Sequence, residues 1–129
     1  MEAEEDIKNR ILGLDTHGKV KCIILFGSRA KKEHLPFSDI DIAVFYSDIP
    51  SKRFKFQMLA QGNLPDKVDL KIFQDLPLTL KKEVILGKIL YCGDFQVVFD
   101  EFLKVIRDYE DFNRFYEVFL NEVREEAKV

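Results

Sequence analysis

An apolar run, Val20 to Phe26, breaks off at Gly27-Ser28, and after ten further residues a second run opens on Asp39-Ile40-Asp41. No other stretch constrains this chain so tightly. Both runs read as strands, Val20 to Phe26 and Asp39 to Phe45. Strand side chains alternate between faces, so Asp39 and Asp41 point the same way with α-carbons about 7 Å apart. Two anionic oxygen ligands converging on one point suit a hard divalent cation, with Mg2+ the leading candidate. The glycine-serine turn nearby offers backbone N–H groups to a phosphate. A phosphate cradle beside a metal clamp is the minimum apparatus for nucleotidyl transfer.

The string FGSRAKKEHLPFSDIDIAV resembles the signature of the DNA polymerase β-like nucleotidyltransferase superfamily: Gly-Ser, a spacer, then Asp-x-Asp on the next strand. The ten-residue spacer and the short chain are most similar to its minimal nucleotidyltransferase (MNT) branch. That resemblance implies a third carboxylate on a later strand, and Asp69 in KVDLKIF stands in that place. The match is good from about Ile23 to Phe73 and holds elsewhere in outline.

Strand-end aspartates are ordinarily solvated residues capping turns, and an isolated Asp-x-Asp carries little weight. Gly27, Ser28 and Asp69 in register with it reverse that balance. Asp39 and Asp41 then hold two Mg2+ ions, and Asp69 completes one site and accepts the proton of the attacking hydroxyl. Three carboxylates gathered without a cation raise one another's pKa values, so a metal explains their convergence. Gly27 supplies a tight turn and a close approach to phosphate. Ser28 offers its hydroxyl and N–H to the β- or γ-phosphate while capping a short helix that runs to about Lys32. Arg29 is the candidate for neutralising triphosphate charge, whereas Lys31 and Lys32 read as a basic face in water. His17 and His34 lack catalytic partners and read as surface residues.

Along the chain, Glu2 to Leu14 has apolar residues at helical spacing. Ser51 is placed to cap a helix ending near Gln61, closed by Gly62-Asn63. A third strand spans Val68 to Phe73, with Asp69 and Lys71 on one face and Val68, Leu70 and Ile72 on the other. Leu78 to Leu86 forms a short helix closed by Gly87. Lys88 to Cys92 is a further strand or an extended strip, and Gly93-Asp94 caps a helix running almost to the end. The order predicts an α/β (α+β) fold: a small mixed sheet packed on one side by helices. Residues 1–92 form the nucleotidyltransferase core and residues 93–129 a helical extension of the same domain. The resemblance implies the same polymerase β-like fold, with a bent sheet and an active site on its open face.

Composition narrows the partners. A chain of 129 residues can bury a real core in one domain. Its apolar runs are too short to span a membrane. Glu2, Glu4 and Glu5 give the amino terminus the wrong charge for a secretory signal, so a cytoplasmic location is expected. A net charge of −3 argues against a long nucleic acid as the main substrate. Cys22 and Cys92 lie in apolar strand-like segments and read as buried, reduced thiols.

From Phe95 to Val129 the chain has neither glycine nor proline. A helix there is longer than a domain of this size needs. Phe95, Phe99, Phe102, Ile106, Tyr109, Phe112, Tyr116, Phe119 and Val123 fall on one stripe, widened by Val98, Val105 and Phe115. The first half is expected to pack on the sheet and on the helix from Ser51. The second half reads as a surface for another protein. The MNT resemblance implies what that protein is: a HEPN-domain ribonuclease toxin, inactivated when its antitoxin moves AMP from ATP onto a tyrosine. Two other readings are a nucleotidyltransferase of small hydroxylated molecules and a non-catalytic module that neutralises the toxin by masking it.

Overall fold

Asp15 sets the first strand. Its two carboxylate oxygens accept the N–H groups of Lys19 and Val20, at 2.9 and 2.8 Å. Gly18, at φ +65°, makes the turn between them. In this computed structural model, residues 2–27 and 39–127 are described. The helix α1 (Glu2–Leu14) leads through that turn into β1 (Val20–Phe26). Then follow β2 (Ile40–Tyr46), α2 (Pro50–Gly62), β3 (Val68–Ile72), a 3-10 turn (Phe73–Asp75), α3 (Leu78–Ile85), β4 (Lys88–Cys92) and α4 (Phe95–Ala127).

The four strands are ordered β3-β2-β1-β4. β1 runs antiparallel to β2 and to β4, and β2 runs parallel to β3, so the sheet is mixed as expected. A parallel pair needs a crossover, and α2 supplies it. β3 is an edge strand, and α2 covers its free edge. The Gln61 side chain donates to the Val68 carbonyl (2.6 Å) and accepts the Leu70 N–H (2.8 Å), and Gln57 donates to the Leu70 carbonyl (3.2 Å). This fixes the strand that carries Asp69 and removes an edge open to mispairing.

Helices cover both faces of the sheet, not one. On the first face Ile23, Leu25, Ile42, Val44, Leu70 and Ile72 pack with Ile7 and Ile11 of α1 and Phe56 and Ala60 of α2. On the second, Cys22, Ile24, Ala43 and Phe45 pack with Phe73, with Val84 of α3, and with Val98 and Val105 of α4. Every residue of β1 except Lys21 is buried. A central strand apolar on both faces demands two covers, and that pattern was present in VKCIILF.

Other expectations need local correction. β2 starts at Ile40, which leaves Asp39 just before it. Pro50 opens α2 and Ile49 precedes it without a side-chain cap, so Ser51 lies inside the first turn. Proline is preorganised for that position. The last residue assigned to the third strand, Phe73, enters the 3-10 turn. Lys88 to Cys92 is a strand, and Asp94 caps α4 as expected, accepting the Val97 N–H at 3.2 Å. Cys22 is buried but Cys92 is exposed. The packed stripe of α4 is Val98, Phe102 and Val105, while Phe95 and Phe99 face outward. α4 lies on β1 and α3, across the sheet from α2.

Candidate active site

The pairing of β2 with β3 sets Asp41 directly beside Asp69. Adjacent strands are about 4.8 Å apart, so the two carboxylates are neighbours. Asp39 precedes Asp41 by two residues on the same face. That face is the second one, where Ala43 and Phe45 continue the strand into the core under α3 and α4. The site is therefore the polar end of an otherwise apolar surface. On the other neighbouring strand, Phe26 pairs with Asp41, and Gly27 follows it.

Gly27 has φ +73°, a conformation that L side chains rarely adopt. An added Cβ would collide with the Asp41 carboxylate oxygen and lie 3.3 Å from its carboxyl carbon. The glycine is thus required twice, by backbone angle and by the acid it leaves room for. Gly27→Ala should cost about 1–2 kcal/mol in backbone strain and displace Asp41. Displacement of a reacting group by about 1 Å lowers rate roughly a hundredfold. Steady-state transfer assays beside a thermal melt check both.

Electrostatics at Asp41 is unfavourable as it stands. Burial, then the charges of Asp69 and Asp39, hold its carboxyl above the usual carboxylate range. Glu83 of α3 adds to this and Lys71 opposes it. Lys71 lies two residues beyond Asp69 on the same face of β3, and its Nζ stands 3.6 Å from Asp69 Oδ2. Both side chains are about half exposed, so this pair contributes little to stability. Its place matters more, since it sets a cation within a group of acids.

Among the described residues, no three carboxylate, thiol or imidazole groups are gathered closely enough to hold a metal ion by themselves. The donor set nevertheless fits a hard divalent cation. It is all oxygen, it is partly desolvated at Asp41, and among the described residues only Lys71 opposes its mutual repulsion. Such an open arc can grip a cation once a ligand supplies further oxygens.

Of the predicted residues, Asp39, Asp41, Asp69 and Gly27 share one end of the sheet. Ser28 and Arg29 lie outside the described residues. Sequence reading assigned no role to Lys71, Glu83 or Gln61. Lys71 was legible from its period-two spacing with Asp69. Glu83 and Gln61 reach the site only through helix packing, which no local pattern encodes.

Comparison with known proteins places this arrangement. Residues 7–96 match the family model described as polymerase beta, nucleotidyltransferase. A Methanocaldococcus jannaschii protein named as a protein adenylyltransferase is 38% identical over 112 residues, covering 84% of this chain and 86% of the relative. A chain in a crystal structure of a toxin–antitoxin with AMP-PNP superposes with a TM-score of 0.68 at 27% identity, covering 90% of this chain and 97% of that one. A chain in a structure of the tri-AMPylated Shewanella oneidensis HEPN toxin in complex with MNT antitoxin gives 0.65 at 26% identity, over 93% and 98%. Among the described residues no helix is long and apolar enough to cross a membrane.

Proposed function

The chain belongs to the polymerase beta nucleotidyltransferase family, and from that premise we propose that it transfers AMP from ATP to a hydroxyl, a tyrosine in our reading, on a HEPN-domain toxin. It thereby acts as the antitoxin. The observation that carries this reading is the Asp41–Asp69 register pair beside a glycine at positive φ, where an added Cβ would meet the Asp41 carboxylate. The relatives that share the architecture supply the class of acceptor.

In this reading Asp39, Asp41 and Asp69 hold the Mg2+ ions that accompany ATP. The bound cation supplies Lewis-acid stabilisation of the leaving pyrophosphate and acidifies the attacking hydroxyl. The chain's own residues do the rest. Gly27 lets the backbone approach the triphosphate, and Ser28 and Arg29 bind its outer phosphates. Asp69 accepts the proton as the hydroxyl oxygen bonds to the α-phosphorus and pyrophosphate departs. Lys71, 3.6 Å from Asp69 Oδ2, would add positive charge beside the triphosphate.

The test combines the protein, ATP, Mg2+ and the HEPN-domain product of a neighbouring gene, followed by intact mass spectrometry of the partner. One or more adenylyl increments, absent without Mg2+, are the expected result. Complex formation with no increment would leave a masking module. Nucleotidylation of small alcohols, with the partner untouched, would overturn the reading in favour of a small-molecule enzyme.

A further inference from the structure

The chain has two cysteines, and the sheet sets them face to face. Cys22 of β1 and Cys92 of β4 are register partners in the antiparallel pair. Residues directly opposite in such a pair have α-carbons about 4.5–5.5 Å apart and side chains on one face. Disulfides form across α-carbon separations of about 4.4–6.8 Å. Their environments differ sharply, with Cys22 only 1% exposed and Cys92 open to solvent.

We propose that Cys22 and Cys92 are a modification site for low-molecular-weight disulfides, which close them into a cross-strand disulfide that clamps the root of α4 to the sheet. Burial and the neighbouring thiol push Cys22 up to about 12, so it stays protonated and first attack falls to Cys92. The Cys92 thiolate attacks one sulfur of the small disulfide and expels the other half as a thiolate. The expelled small thiolate takes the Cys22 proton, and the Cys22 thiolate, adjacent within the sheet, attacks Cys92 Sγ in the mixed disulfide. The second half of the small disulfide leaves as a thiolate and is protonated by water. The balance is one small disulfide reduced to two thiols and one protein dithiol oxidised.

The position gives the bond a mechanical consequence. α4 begins at Phe95, three residues beyond Cys92. The intervening turn is held by the Gly93 N–H on the Lys21 carbonyl at 2.9 Å and by the Asp94 cap. A covalent link at Cys92 therefore closes a long loop, from β1 through β2 and β3 to β4, at the point where the helix leaves the sheet.

The test treats the full chain with oxidised glutathione. The intact mass should fall by two hydrogens, both thiols should be lost to a thiol reagent, and a tryptic digest should yield one peptide joining Cys22 to Cys92. The thermal midpoint should rise by about 5–10 °C and return with dithiothreitol. Cys22→Ala should stop at one glutathione on Cys92, and Cys92→Ser should stay unmodified. A stable glutathione adduct on the unsubstituted chain, unreacted thiols, or crosslinks between molecules would each overturn the proposal. An unchanged or lowered midpoint in the disulfide form would overturn the clamp.

Discussion

Asp41→Asn should lose at least about a thousandfold in AMP transfer while folding as well as the unsubstituted chain or slightly better. The two effects have one cause. In the fold, Asp41 is desolvated and faces Asp69 and Asp39, which raises its pKa from the ordinary value of 3.8. A carboxylate raised in the fold opposes folding when ionised. The penalty is absent below the unfolded value, appears as pH climbs past it, and is complete above the folded pKa. An asparagine of the same shape removes the penalty. Asp41 is partly open to water, so screening holds the gain at neutral pH to roughly 0.5 kcal/mol. The stability difference between variant and parent should therefore open above about pH 4 and close below it. Millimolar Mg2+ with a non-hydrolysable ATP analogue should reverse the order, stabilising the parent by ligand linkage and leaving the variant unmoved. Denaturant melts across pH, with and without cation, measure all of this. A variant that is less stable than the parent at pH 7, or that keeps its activity, would remove Asp41 from the site.

The candidate site was legible before the fold because its signals are local. Asp39-Ile40-Asp41 obeys a period-two rule that any strand obeys, and Gly27 ends an apolar run where only glycine relieves the backbone. Both signals are local, and the strand boundaries moved by no more than one residue. What stayed hidden was packing across the sheet. Apolar content on both faces of β1 required two covers, yet nothing in sequence said which helix lay on which face. α4 was expected beside α2 and instead packs with α3 on the opposite face. Its buried stripe is rotated accordingly, to Val98, Phe102 and Val105, leaving Phe95 and Phe99 outside. A helix apolar over so wide an arc does not declare which part meets the sheet. The Cys22–Cys92 register was equally invisible, because it depends on β4 docking against β1 across 70 residues of chain.

The second large effect belongs to the free end of α4. The helix has 33 residues, roughly 50 Å at 1.5 Å per residue. Support from the domain ends near Tyr109, where Lys82 Nζ of α3 sits 4.0 Å over the ring. Beyond it, Phe112, Tyr116, Phe119 and Val123 follow steps of four and three, with Phe115 beside them. All are roughly half exposed or more, up to 70% for Phe115. Phe115 and Phe119 stack with ring centroids 6.4 Å apart, and Phe112 stacks on Tyr116 at 6.2 Å. A preformed aromatic ridge loses little conformational freedom on docking, and aromatics dominate the energy of protein interfaces. On the proposed function, the double substitution Phe115→Asp/Phe119→Asp should weaken the complex with a HEPN partner by at least about a hundredfold. The isolated protein should change by no more than about 0.5 kcal/mol, because neither ring touches the core. Transfer should show a raised KM for the partner with kcat preserved, since neither ring belongs to the cluster of carboxylates and glycine. Asp41→Asn should show the reverse, tight complex and no transfer. Calorimetric titration of the partner into each variant separates the two surfaces. Undiminished affinity in the aspartate pair would move the docking surface off α4, whereas a fall in kcat at saturating partner would mean that this ridge also aims the acceptor hydroxyl.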